Sequence, residues 1–212
     1  MADDLKRALA ATDEAAAAAA GRAARLFAGR AEREGLIDVA YATVDSPLGP
    51  LLALGTERGL LMLSYTDESV DAKLERVAAR ISPRILEAPG RLDAARRELD
   101  EYFSGERRRF GIPIDWSLIS GYARAVLEAT RAIPYGGAMS YGEVSAAAGN
   151  PRGARATGNA LGSNPIPIVI PCHRVLRSGG AIGGYTGGLD RKRFLLALEA
   201  GGAGSAGGAG VR

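Results

Sequence analysis

Asn164-Pro165-Ile166-Pro167-Ile168-Val169-Ile170-Pro171-Cys172-His173-Arg174-Val175 is the stretch on which the reading of this chain turns. Its apolar run reads as a buried strand bracketed by prolines. The run ends on the only cysteine of 212 residues, next to the only histidine, with an arginine directly after. A free cysteine is most often a small core residue. The company this one keeps points instead to chemistry. A thiol with an ordinary pKa of about 8.5 is only a few per cent thiolate at neutral pH, so a nucleophilic cysteine needs a base. Neighbouring side chains on a strand point to opposite faces, so His173 could serve only through a turn or a bridging water.

Upstream, residues 120–132 have helical spacing and stop at Pro134-Tyr135-Gly136. Ser140 with Glu143 three residues on is a capping-box pattern that starts a short helix to Ala148. A turn at Gly149-Asn150-Pro151 leads into a second helix over 152–161, and two short helices across a tight turn resemble a helix-turn-helix unit. The second helix carries Gly153, Ala154, Ala156, Gly158 and Ala160. Such residues let a backbone come close to something, another helix being the commoner partner and DNA the alternative. Downstream, the glycine-rich run 183–188 is followed by Leu189 where a phosphate-binding loop needs Lys, and no dinucleotide fingerprint is present.

Toward the N-terminus, apolar runs at 39–44, 51–54 and 60–65 are separated by Ser46-Pro47-Leu48-Gly49 and Glu57-Arg58-Gly59, a small antiparallel meander. Helical periodicity follows at 70–81 and at 91–103, where Leu92, Ala95, Leu99 and Tyr102 or Phe103 share a face. Ser104-Gly105-Glu106 and three arginines then lead into an expected strand near 110–114. The predicted organisation is an Ala-rich helical extension (1–37), an α/β domain with an antiparallel sheet (38–114), a mainly helical domain (115–200) and a disordered Gly/Ala tail (201–212).

Composition narrows the function further. No apolar stretch approaches the roughly 18 to 20 residues that span a bilayer. Asp3 and Asp4 sit where a signal or transit peptide needs basic residues, which predicts a cytoplasmic protein. One cysteine and one histidine cannot supply a Cys/His zinc site or an internal disulfide, so no metal is expected. The net charge of +3 is uneven: residues 152–212 hold 8 Lys/Arg against 2 Asp/Glu, net +6, while the rest is net −3. A basic region suits a polyanion, or equally a solvated surface.

With Ser140-Tyr141, Gly149-Asn150-Pro151, Ala154-Arg155-Ala156, Gly183-Gly184-Tyr185-Thr186-Gly187-Gly188 and Leu195-Leu196-Ala197-Leu198-Glu199, the Pro171–Val175 motif resembles the methylated-DNA–protein-cysteine methyltransferases. The resemblance runs from about Val39 to Glu199. It implies a ribonuclease H-like α/β domain followed by a winged-helix-like helix-turn-helix domain. It further implies irreversible, single-turnover transfer of an alkyl group from O6-alkylguanine in double-stranded DNA to Cys172, with no cofactor and no obligate protein partner. His173 would take the thiol proton through a water and Glu199 would orient His173. Tyr141 would donate a hydrogen bond to the leaving guanine. Arg155 would fill the gap left by a flipped base, on a helix whose Arg152, Ala154 and Gly158, with Ser140, meet DNA. Val175, Tyr185 and Thr186 would form the pocket, and Asn164 would hold the turn before the cysteine. Tyr122, Ala123 and Leu127 depart from the Phe, Gln and Trp of many relatives. Two rival readings remain at this stage: a non-catalytic lesion-binding module and a Cys-His-Glu hydrolase.

Overall fold

The computed structural model describes residues 2–67 and 69–204. The Ala-rich extension is one helix, α1 (Ala2–Arg33), ending on Arg30 and Arg33, where cations oppose the helix dipole favourably. Ala31 packs with Ile37, Ala40 and Ala88, which ties the end of α1 to the fold. Of the expected disordered tail, residues 201–204 continue the last helix, and 205–212 lie outside the described residues.

The meander forms as β1 (Val39–Val44), β2 (Leu51–Thr56) and β3 (Gly59–Tyr65), each antiparallel to the next. A further strand, β4 (Ile85–Glu87), pairs parallel with β1 and completes a sheet of order β3-β2-β1-β4. Residues 51–55 of β2 are all buried because both faces of the sheet are covered. Leu52 and Leu54 meet Val77 of helix α2 (Val70–Arg80) on one face. On the other, Leu51 and Ala53 join the cluster that holds Leu99 of helix α3 (Asp93–Phe103). Period-two alternation thus feeds two layers.

The strand expected at 110–114 does not form. Pro113 has no N–H to give a ladder, and the N–H groups of Gly111 and Ile112 are claimed by Glu98 Oε2 at 2.7 and 3.3 Å. What remains is a single bridge between Leu60 and Ile114, with Leu60 N–H donating to Pro113 O at 2.9 Å.

The C-terminal half is helical: α4 (Gly121–Arg131), α5 (Tyr141–Ala147), α6 (Ala154–Gly162) and α7 (Leu189–Gly204). The capping box opens α5 as expected, with Glu143 N–H donating to Ser140 Oγ and Ser140 N–H to Glu143 Oε2. Arg152 falls in the turn before α6 rather than within it. Two residue pairs, β5 (Met139–Ser140) and β6 (Val175–Leu176), run parallel and bring the end of the cysteine motif beside the start of α5. One apolar core runs without a break from Ala42 in the sheet to Leu195 in α7.

Candidate active site

Asn164 organises the approach to the cysteine. Its side chain accepts from Ile166 N–H at 3.0 Å and donates to Ile170 O at 2.9 Å, closing a compact loop over 164–170. Within it Ile168 has φ of 75°, a left-handed conformation that costs a β-branched residue energy. Complete burial of the Ile168 side chain offsets that cost. The amide of Asn164 also donates to Cys172 Sγ at 3.2 Å, so this residue touches the thiol as well as holding the turn.

Cys172, His173 and Arg174 form a 3-10 turn, not the continuation of a strand. Prolines at 165, 167 and 171 lack the N–H groups that a strand would use. Three residues per turn set adjacent side chains about 120° apart, so Cys172 and His173 are not forced onto opposite faces. Burial pushes the Cys172 thiol up to about 11, against the Asn164 hydrogen bond and the Lys192 charge, so the resting thiol keeps its proton at neutral pH.

His173 and Glu199 are both buried, and His173 Nε2 lies 2.9 Å from Glu199 Oε1. Burial lowers the imidazole pKa further than Glu199 raises it, so the ring is neutral. With Nε2 donating to the carboxylate, Nδ1 carries the lone pair, and it has no partner among the described residues. Arg174 clamps Glu199 from Nε (2.9 Å to Oε2) and Nη2 (2.8 Å to Oε1) and donates from Nη1 to Ile133 O at 2.6 Å. Gly136 N–H reaches Oε2 at 3.1 Å, and the Tyr102 hydroxyl donates to Oε1 at 2.7 Å. Burial alone would raise the Glu199 carboxyl, but the hydrogen bonds from His173 and Arg174 outweigh it and hold it at about 2.

Above the thiol lies a cleft of about 290 Å³ lined by Tyr141, Gly158, Leu161, Cys172, Tyr185 and Thr186, with Gly162 and Gly184. Tyr141 packs so tightly on the loop that a Cβ at Gly183 would sit 2.6 Å from its hydroxyl. Burial raises its pKa, so it remains a hydrogen-bond donor at neutral pH. Tyr185 Oη meets Tyr65 Oη of β3 at 2.9 Å, and Thr186 Oγ1 donates to Gly162 O. Val175 and Asn164 do not line this cleft. Val175 is fully buried, and its carbonyl already accepts from Lys192 Nζ at 2.7 Å. Arg152, Ala154 and Arg155 are exposed beside the cleft-lining Gly158, whereas the Ser140 hydroxyl is engaged in its cap.

Sequence reasoning missed Tyr102, Tyr65 and Lys192. The buried Lys192 also reaches the carbonyls of Gly183 and Gly184, at 3.4 and 3.3 Å, and so ties the glycine-rich loop to β6. A signal for Lys192 existed: with Leu195 and Glu199 it repeats at helical spacing, so a lysine and a glutamate occupy an otherwise apolar face. For Tyr102 and Tyr65 there was none beyond apolar patterning. No group of residues suited to a metal ion occurs among the described residues.

Fold and site together define a class: an α/β protein whose helix-turn-helix unit overlies one buried thiol, backed by a histidine–carboxylate pair. Comparison with known proteins names it. Residues 39–116 match the ribonuclease-like domain of 6-O-methylguanine DNA methyltransferase, and residues 121–201 match its DNA-binding domain. A methylated-DNA–protein-cysteine methyltransferase of Mycolicibacterium paratuberculosis is 42% identical over 161 residues, 76% of this chain and 92% of that protein. One of Methanosarcina acetivorans is 37% identical over 75% of this chain and 97% of its own. The Mycobacterium tuberculosis enzyme crystallised in complex with DNA is 38% identical with a TM-score of 0.66, over 77% of this chain and 94% of that one. The chain belongs to the 6-O-methylguanine DNA methyltransferase family. The matched residues begin after α1.

Proposed function

We propose that this protein repairs DNA by moving an alkyl group from O6 of guanine onto Cys172, once per molecule. The observation that carries this reading is a buried thiol lining a base-sized cleft, with a donor (Asn164) on its sulfur and, next in sequence, a histidine hydrogen-bonded to a buried glutamate. In the step, Sγ attacks the alkyl carbon as its proton passes through a water to His173 Nδ1, and Glu199 stabilises the imidazolium. The C–O6 bond breaks with its electron pair going to the base. Tyr141 stabilises that developing charge, and the proton neutralises the departing guanine. The thioether product is a very poor leaving group, hence the single turnover. The DNA itself is the alkyl donor, so the reaction calls for no cofactor.

The O6 atom lies inside the duplex, so the base must leave the stack at a cost of a few kcal/mol. Arg152 in the turn before α6 and Ala154, Arg155 and Gly158 within it meet the DNA, Arg155 occupying the gap. Asn164 holds the cysteine turn, and Tyr185 and Thr186 enclose the base. No helix of the described residues is long and apolar enough to cross a membrane. We place the activity in the cytoplasm, in segments 38–114 and 115–200, with 1–37 as an N-terminal extension.

Incubation with O6-methylguanine DNA should leave Cys172 one methylene heavier and stably so, by mass spectrometry of the peptide. An unmodified or slowly regenerated cysteine would favour a binding module or a hydrolase. Arg155→Ala should slow repair of duplex DNA about ten-fold or more, at least ~1.4 kcal/mol in the barrier. It should barely alter reaction with free O6-benzylguanine, which needs no flipping. Equal losses on both substrates would remove Arg155 from the gap-filling role.

A further inference from the structure

Three residues donate to Glu199 Oε1: His173 from Nε2 at 2.9 Å, Arg174 from Nη2 at 2.8 Å and Nε at 3.2 Å, and Tyr102 from its hydroxyl at 2.7 Å. Two come from the cysteine motif itself. The third comes from α3, within the segment that matches the ribonuclease-like domain, 97 residues away in sequence. Tyr102 is fully buried, and its ring is fixed by Phe103, Phe110 and Tyr135 at centroid distances of 5.4, 5.2 and 6.1 Å. A phenylalanine would fill such a place, because a buried hydroxyl is costly unless partnered. Here the hydroxyl is directed at the carboxylate.

We propose that Tyr102 is a positioning residue for group transfer: by donating to the oxygen that also holds His173, it limits how strongly Glu199 draws the imidazole into its protonated form. This rests on the histidine–glutamate reading above. Donors sharing one oxygen divide its charge, so removal of one leaves more for the others. Arg174 cannot respond by changing protonation, which leaves His173 as the group whose basicity moves. The other charged or titratable groups facing the pair are Arg174 and Lys192, which disfavour imidazolium, and Tyr135, with Arg108 over its ring. Of these only Arg174 also donates to Oε1, and its charge is fixed. Burial and the neighbouring carboxylate raise the Tyr102 pKa, so it stays a donor throughout the working range.

The chain has one histidine, so its ring gives a single unambiguous NMR signal. In the full-length protein, Tyr102→Phe should raise the His173 pKa by about 0.3 to 1 unit, a two- to ten-fold gain in proton affinity. The acid limb of the single-turnover rate with O6-benzylguanine should move upward by the same amount. Phe110→Leu, which loosens the same aromatic cluster without touching the hydrogen bond, should lower stability and leave both pKa readings in place. In the unmutated protein, the Tyr102 hydroxyl proton should exchange slowly and show a cross-peak to the His173 ring. If the acid limb follows His173 but Y102F moves neither reading, or if F110L shifts both equally, the Tyr102 role is wrong. Absence of the cross-peak would overturn it as well, even should Y102F fail to fold. If the wild-type acid limb does not follow His173 at all, it is the underlying relay that fails.

Discussion

Asn164 shows how much one side chain can decide. Its oxygen and nitrogen fix the 164–170 loop, and the same nitrogen donates to the thiol of Cys172. Asn164→Asp keeps the shape and the acceptor but points a carboxylate at sulfur. The substitution should raise the Cys172 pKa above its native value near 11 and slow transfer by ten-fold or more, about 1.4 kcal/mol. Single-turnover rates with free O6-benzylguanine measure this without involving DNA. A rate within about two-fold of wild type would limit Asn164 to the turn. The sequence marked Asn164 as a turn residue, but its contact with Sγ depends on how the loop folds back over eight residues.

At the scale of elements, the helix-turn-helix unit is held from behind by Tyr122 of α4. Its hydroxyl lies 3.1 Å from Ser145 Oγ on α5 and 2.8 Å from Thr157 Oγ1 on α6, and both partners are fully buried. The departure from phenylalanine at this position is therefore a polar pin joining three helices. Leu127, in the place of a larger aromatic, is buried in the core. Tyr122→Phe should cost about 1 to 3 kcal/mol in equilibrium denaturation, mostly from leaving Thr157 unpaired, and leave the rate on a free base nearly unchanged. Unaltered stability would mean that the hydroxyl contributes nothing net. The helices themselves were legible from capping and turn residues. Their mutual pin was not, because a tyrosine on an apolar helix face reads as packing.

At the scale of the whole molecule, Glu199 links the two halves through Tyr102 and Arg174, so its ionisation is tied to stability. Its pKa is lowered from 4.5 to about 2, so its contribution is present above about 4.5 and is lost as pH falls toward 2. His173 acts in the same direction. Its pKa is lowered from 6.5, so the unfolded chain gains a proton first and stability declines as pH drops below that value. Denaturant unfolding from pH 7 to 2 should show a loss of a few kcal/mol, steepest below pH 4.5. Glu199→Gln should be less stable at pH 7 by about 3 to 5 kcal/mol, since Arg174 is left buried without its partner, and should have a flatter acid profile. Parallel profiles for the two proteins would place the acid sensitivity elsewhere.

Local signals settled much in advance. Turn residues and period-two runs marked β1 to β3, and capping and helical spacing marked α2 to α5. The cysteine–histidine pair and its flanking motifs pointed to the family. Those features depend on interactions among residues close in sequence, which a linear reading captures. The tertiary structure alone decided what depends on distant partners. Glu98 took the N–H groups that a strand at 110–114 would have used, and β4 joined the sheet as a parallel neighbour of β1. The prolines turned the expected cysteine strand into a 3-10 turn, and Val175 moved behind the cleft with its carbonyl held by Lys192. Tyr102 met Glu199 across 97 residues. Each is a competition for a hydrogen-bonding group, and its winner is fixed only when the core closes.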